Sequence, residues 1–161
     1  FFSGEIYLDL SKNFMKYLSW QDITYSSLTD KICLVVDRDH ESFSKEQYNN
    51  VYNFCQNNNV GYYVSNPCFE FWLFLHFREI EKEKYDDLLK NKFITSDKRY
   101  IESRLHDLCG YTKTKFNFLR FEPYINDAIK REKNYEENIM GLENKLGTNV
   151  GKLVSEMINK K

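Results

Sequence analysis

"KICLVVDRDHESFSKEQYNNVYNFCQNNNVGYYV", Lys31 to Val64, decides the fold. It opens on "KICLVV", a short apolar run rich in β-branched residues, which suits a central strand covered on both faces. The period then changes. Ser44 and Gln47 have the spacing of a capping box, which satisfies the first free amides of a helix. Tyr48, Val51, Tyr52 and Cys55 follow at i, i+3, i+4 and i+7, the stripe of a half-buried helix. Asn57 to Asn59 end it, and "VGYYV", 60 to 64, reads as a second strand. Strand, helix and strand joined by short connections make a βαβ unit. Its strands are expected to be parallel, with a right-handed crossover.

Downstream, "SNPCFEFWLFLHF" (65 to 77) reads as a helix, with Ser65 or Asn66 as cap and Pro67 at the first helical position. Charged helices are expected at about 79–91 and about 97–109, the second ended by Gly110. "YTKTK", 111 to 115, is a polar loop. A further helix is expected to begin near Pro123 and to carry Tyr124, Ile125, Ala128 and Ile129. A last helix starts at Thr148, its buried face formed by Val150, Leu153, Val154, Met157 and Ile158. Upstream, Leu10, Phe14, Tyr17 and Leu18 near helical spacing predict a helix over Ile6 to Tyr17, and 22 to 28 has strand-like composition. The expectation is one α/β domain over residues 1–161, with a small parallel sheet flanked by helices over about 1–77 and a helical half over about 78–161. Two or three strands make a thin parallel sheet. The sheet is therefore expected to be completed by a first strand before Phe1 or, alternatively, by strands that a partner supplies.

The 161 residues are 42% hydrophobic and 17% aromatic, which argues for a folded core over a disordered chain. A net charge of -1 excludes a basic coat for nucleic acid, so phosphate binding must come from a local patch or a metal. No apolar run approaches the roughly 20 residues of a membrane span, and no signal peptide is visible. Cys33, Cys55, Cys68 and Cys109 have no metal-ligand spacing and read as reduced thiols in or near the core of a cytoplasmic protein.

Four places could carry chemistry. Asp37 and Asp39 follow the first strand two residues apart, so both can face one side, at the strand end where open parallel sheets bind ligands. Two carboxylates that close repel unless a cation neutralises them, and Mg²⁺ or Mn²⁺ is the natural candidate. The bland alternative is that one caps a turn and the other is solvated. Glu70 sits in a helix with no freely polar side. Its burial demands a partner, a proton or a metal. Alternatively it bonds loop amides. His76 is either a general acid or base or a satisfied core histidine. His40 is a ligand or a turn residue. Lys113 and Lys115, with Tyr111, could grip phosphate and stack on a base, or simply be solvated.

"VVDRDHESF", "YYVSNPCFEFWLFLHF", "YTKT" and "TNVGKLV" stand in the order and spacing of the RloB-like family, which this chain resembles from about Lys31 to Leu153. The resemblance implies a Toprim-like α/β domain, similar to the metal-dependent nuclease parts of topoisomerases, primases and defence nucleases. It implies that Asp37 and Asp39 form the D-x-D that holds Mg²⁺. Glu70 and His76 correspond to the acidic residue and histidine of the family's "NPCFE…LHF" block. Tyr111 and Lys113 correspond to its "Y-x-K", and Thr148 and Asn149 to its late "T-N-V". A glutamate ending a first strand, usual in Toprim domains, has no counterpart here.

The function implied is a Mg²⁺-dependent nuclease acting on RNA or DNA in bacterial antiphage defence. Asp37, Asp39, Glu70, His76 and Lys113 are its expected catalytic residues. Arg38, His40, Ser65, Asn66, Tyr111 and Lys115 are the expected substrate contacts. An ATPase from the same locus and a second copy of the chain are the other expected partners. The alternative is a non-catalytic Toprim-like module that binds a nucleotide, nucleic acid or ATPase.

Overall fold

A computed structural model describes Thr24, Ser26 and residues 28–39 and 41–159. The helix expected over Ile6 to Tyr17 lies outside the described residues, as does His40. Two compact units divide the chain: Phe1–Leu34 with Asp39–Tyr62, and Val35–Arg38 with Tyr63–Lys161. The elements in order are β1 (Cys33–Asp37), α1 (Lys45–Asn57), β2 (Gly61–Asn66), α2 (Phe69–Phe74), α3 (Tyr85–Lys90), α4 (Tyr100–Cys109), α5 (Ile125–Glu132), α6 (Ile139–Leu142), β3 (Gly147–Thr148) and α7 (Val150–Ile158). Single 3₁₀ turns at Arg78–Lys82, Phe118–Arg120 and Glu122–Tyr124 fill the connections.

The three strands form one mixed sheet in the order β1-β2-β3. The Gly61 N–H donates to the Ile32 carbonyl and the Arg38 N–H to the Ser65 carbonyl, so β1 and β2 advance together as parallel strands. The expected order of strand, helix and parallel strand therefore holds. β3 was not foreseen. It runs antiparallel to β2, with Ser65 opposite Thr148 and Asn66 opposite Gly147.

In the first unit the capping box forms as the spacing predicts. Ser44 Oγ accepts the Gln47 N–H at 3.2 Å, and Gln47 Oε1 accepts the Ser44 N–H at 2.9 Å. Tyr48, Val51 and Cys55 are buried, and the Tyr48 ring lies 5.8 Å from Phe43 and 5.7 Å from Tyr62.

In the second unit the start of α2 differs from expectation. Ser65 and Asn66 are not caps but the last residues of β2, both fully buried. Ser65 Oγ meets Thr148 Oγ1 at 2.8 Å, and Asn66 Nδ2 donates to the Leu142 and Lys145 carbonyls. Ser65 Oγ and Asn66 Nδ2 are thereby spent on a strand and loop that lie 76 to 83 residues downstream, which no local pattern reveals. Cys68 takes the cap position without a side-chain bond.

The expected helix at 79–91 breaks into a 3₁₀ turn and the short α3, ended by Asn91 in the left-handed region at φ 40°. α4 ends at Gly110, also left-handed, as foreseen. Thr148 does accept the Val150 N–H, yet belongs to β3. The face of α7 is only partly covered: Val150 is buried, whereas Met157 and Ile158 are exposed. With Leu153 and Val154 they line an apolar cavity of about 490 Å³.

α7 begins against a buried acid. Glu132, at the end of α5, is 1% exposed, and its Oε2 accepts the Gly151 N–H at 2.6 Å. Burial lifts its carboxyl to about 8, opposed by that amide and reinforced by Glu137. The folded value lies above the ordinary carboxylate value, so the folded state holds a proton that the unfolded state has lost. Stability from this group is complete below about pH 4.5 and is lost as pH rises towards 8. Each pH unit of that separation is worth about 1.4 kcal/mol. Urea melts at pH 5 and pH 9 are expected to show a lower midpoint at pH 9, and Glu132→Gln is expected to shrink the difference. An equal pH dependence in the variant would place its origin elsewhere.

Candidate functional site

β1 ends on Asp37, and its carboxylate is not left to solvent alone. Asp37 Oδ1 accepts the Phe69 N–H, the first amide of α2, at 2.7 Å. The end of β1 is thereby tied to the start of the helix that follows β2. Glu70, the next residue of α2, is 8% exposed. Its Oε1 accepts the Tyr111 hydroxyl at 3.2 Å and lies 3.8 Å from Lys113 Nζ. The same ammonium lies 3.8 Å from Glu102 Oε2, in the first turn of α4. Two carboxylates, from α2 and α4, thus share one lysine.

Cys68 lies among them. Its thiol is pushed well up, first by burial, then by the charges of Glu70 and of Asp37, with a hydrogen bond to Glu70 adding to the effect. The Phe69 N–H that Asp37 accepts belongs to the residue before Glu70, so the two acids flank the start of α2. The raised value also keeps the sulfur protonated, so Cys68 is no nucleophile here. Asn91 Nδ2 reaches Cys68 Sγ at 3.4 Å while Asn91 Oδ1 accepts the Ile101 N–H at 3.0 Å. One left-handed asparagine therefore holds the Cys68 loop and the start of α4 together. The Tyr111 hydroxyl is also driven up, by burial first and by Glu70 second. It stays a hydrogen-bond donor that orients Glu70.

Asp37, Glu70, Tyr111 and Lys113, four of the expected residues, are therefore brought together, all within the second unit. The others go elsewhere. Asp39 Oδ1 accepts the Glu41 N–H at 3.1 Å and its Oδ2 the Ser42 hydroxyl at 3.1 Å, the hydrogen bonds of a turn. Arg38 is 3% exposed, and its Nε donates to the Glu143 carbonyl. Ser65 and Asn66 serve the sheet, as described above. His76 is buried with Nδ1 near the Trp72 and Leu73 carbonyls at 3.1 and 3.2 Å. Its ring sits edge-on to Trp72 and Phe121, and burial lowers its basicity. That is the environment of a satisfied core histidine. Lys115 is exposed and lines a small polar pocket of about 210 Å³ with Tyr111, Asn117 and Arg120.

Sequence reasoning missed Glu102, Cys68 and Asn91. Glu102 sits on a charged helix where an acid is unremarkable, and only the fold buries it beside Lys113.

Among the described residues no three His, Cys, Asp or Glu converge closely enough to cage a metal ion. Hard oxygens of a carboxylate pair still fit Mg²⁺, which commonly takes one or two protein carboxylates and fills its remaining sites with water and substrate phosphate. The described part of the chain also contains no helix long and apolar enough to cross a membrane.

Comparison with known proteins gives one family: the model described as RloB-like protein matches residues 6–157. No curated protein and no solved structure matches the chain.

Proposed function

The chain belongs to the RloB-like protein family, and we propose that it is a Mg²⁺-dependent nuclease that hydrolyses phosphodiester bonds of RNA or DNA. The observation that supports this reading is the hydrogen bond by which Asp37, at the end of β1, holds the first amide of α2, one residue before the buried Glu70. A Mg²⁺ or Mn²⁺ ion bound there would activate water and stabilise charge on the phosphorus oxygens. Asp37, at the end of β1, would hold the ion. Glu70, kept in place by Tyr111, takes the proton from the attacking water. Lys113 swings from its two carboxylates to the phosphate, a movement its long contacts of 3.8 Å permit. Antiphage defence beside an ATPase, with a second copy as a further partner, is the biological setting that goes with this proposal.

A second reading has its own support. Lys113 already lies against both Glu70 and Glu102, a partial substitute for a cation, and such a site could bind nucleic acid without cutting it. One experiment separates the two. Labelled RNA and DNA oligonucleotides are incubated with the protein in Mg²⁺, in Mn²⁺ and in EDTA. The nuclease predicts cleavage that EDTA stops and added Mg²⁺ restores. Binding without cleavage in every metal would select the second reading, and cleavage indifferent to EDTA would dismiss both.

A further inference from the structure

The segment Tyr111 to Phe121 reads "YTKTKFNFLRF" and interleaves Lys113, Lys115 and Arg120 with Phe116, Phe118 and Phe121. It contains no acidic residue, in a chain whose net charge is -1. Its aromatics divide into anchors and platforms. Phe121 is 2% exposed and packs against His76 and Phe77 at 5.5 Å. Phe116 stacks on Phe121, with centroids 5.3 Å apart and planes 18° from parallel, yet remains 49% exposed. One face of Phe116 is thus fixed on a buried ring, and Phe116 and Phe118 line the open apolar cavity of about 490 Å³ that α7 borders. Phe118, in the next turn, is 50% exposed. Aromatic area held open at this level on a rigid base, with cations interleaved, is unusual for a loop that only connects helices.

The basic groups are equally well placed. Arg120 is positioned by its own bond, Nη1 donating to the Cys109 carbonyl at 2.6 Å, and lines the 210 Å³ polar pocket with Lys115 and Asn117. Tyr111 joins this pocket to the acidic site: its ring meets Phe116 at 6.3 Å and its hydroxyl bonds Glu70.

We infer that Phe116 and Phe118 form a stacking platform for unpaired bases, that Lys115 and Arg120 take the adjoining phosphates, and that the substrate class is therefore single-stranded nucleic acid. The identity of the strand as substrate rests on the nuclease reading; the platform itself does not. A ring face offered outward can be covered by a base only if that base has left its own stack, which a duplex does not allow without unpairing. Three cations are also too few to track a duplex backbone, but suit a few nucleotides of single strand. Lys115 and Arg120 line the polar pocket that adjoins this cavity at Phe121, so an anionic strand with apolar base faces complements both, which an apolar protein partner does not.

The test is fluorescence anisotropy of the whole chain with a labelled oligouridine or oligothymidine of about 12 nucleotides and with a hairpin duplex of equal length, all in EDTA so that nothing is cut. Tighter binding of the single strand is expected. Phe116→Leu keeps apolar volume but loses the ring face and is expected to weaken binding about tenfold. Phe116→Tyr is expected to bind as the parent does. Lys115→Gln is expected to flatten the salt dependence by roughly 0.7 in the log–log slope. Equal or tighter duplex binding, or unchanged affinity in Phe116→Leu with its melting temperature intact, overturns the inference. So does a change in sedimentation in place of a change in binding. If Phe116→Leu melts early, Phe118→Leu carries the same comparison. Single-strand binding that depends on Phe116 without cleavage in Mg²⁺ would sink the nuclease and leave the platform. Cleavage of duplex that ignores Phe116 would do the reverse.

Discussion

Asp37→Asn is expected to reduce Mg²⁺-dependent cleavage roughly 100- to 1,000-fold, about 3–4 kcal/mol of transition-state stabilisation. The amide keeps an acceptor for the Phe69 N–H, so the tie between β1 and α2 survives and the loss reports on charge. Glu70→Gln is expected to fall as far, because its amide can still meet the Tyr111 hydroxyl but cannot take a proton. Asp39→Asn is the informative contrast. Its oxygens serve the Glu41 N–H and the Ser42 hydroxyl, and an amide oxygen can replace the first of these. A drop within about threefold is expected there, the size of a surface change of about half a kcal/mol. Gel assays of initial rate under single-turnover conditions decide the matter. Equal collapse in Asp37→Asn and Asp39→Asn would mean that the two aspartates share the ion, as the family resemblance implies, and that Asp37 does not hold it alone. Wild-type rates in Asp37→Asn would end the metal mechanism.

Gly147→Ala is expected to be strongly destabilising. A Cβ at Gly147 would stand 2.0 Å from the carbonyl oxygen of Glu136 and 2.7 Å from its carbonyl carbon and nitrogen. These are backbone atoms in a doubly bonded stretch. The Glu136 N–H donates to the Leu146 carbonyl, and the Glu136 carbonyl accepts the Thr148 N–H. On its other side Gly147 pairs with Asn66 of β2. Neither flank can give way without breaking the sheet. The expected cost is about 3 kcal/mol or more, which lowers the melting temperature by roughly 10 °C for a chain of this length. Gly110→Ala provides the scale. Nothing lies within 4 Å of its Cβ, and only the left-handed φ of 67° opposes the change, so about 1 kcal/mol is expected. A Gly147→Ala protein that melts within about 2 °C of the parent would show that β3 is not held as described.

What could be read from the sequence is what short-range patterns encode. The β1–α1–β2 unit follows from an apolar run, a period of 3.6 and a second run, all within 34 residues. The Ser44–Gln47 cap and the Gly110 stop follow from residues whose chemistry acts on their own backbone. Glu70 was legible as a buried acid needing a partner because its helix has no polar face. Tyr111 and Lys113 were legible as residue types, and their partner was not.

Tertiary structure alone decided the rest, because it turns on groups far apart along the chain. Ser65 and Asn66 look like helix caps until Thr148 and the Leu142 and Lys145 carbonyls take up their hydrogen bonds. β3 is two residues long, too short for any alternation to announce it. Glu102 becomes part of the site only because α4 carries it to Lys113. Asp37 and Asp39 are equivalent in sequence, yet one reaches the amide of α2 and the other closes its own turn. A hydrogen bond to a neighbour three residues away is written in the local sequence. A charge that is shared across thirty residues is settled only when the chain has packed.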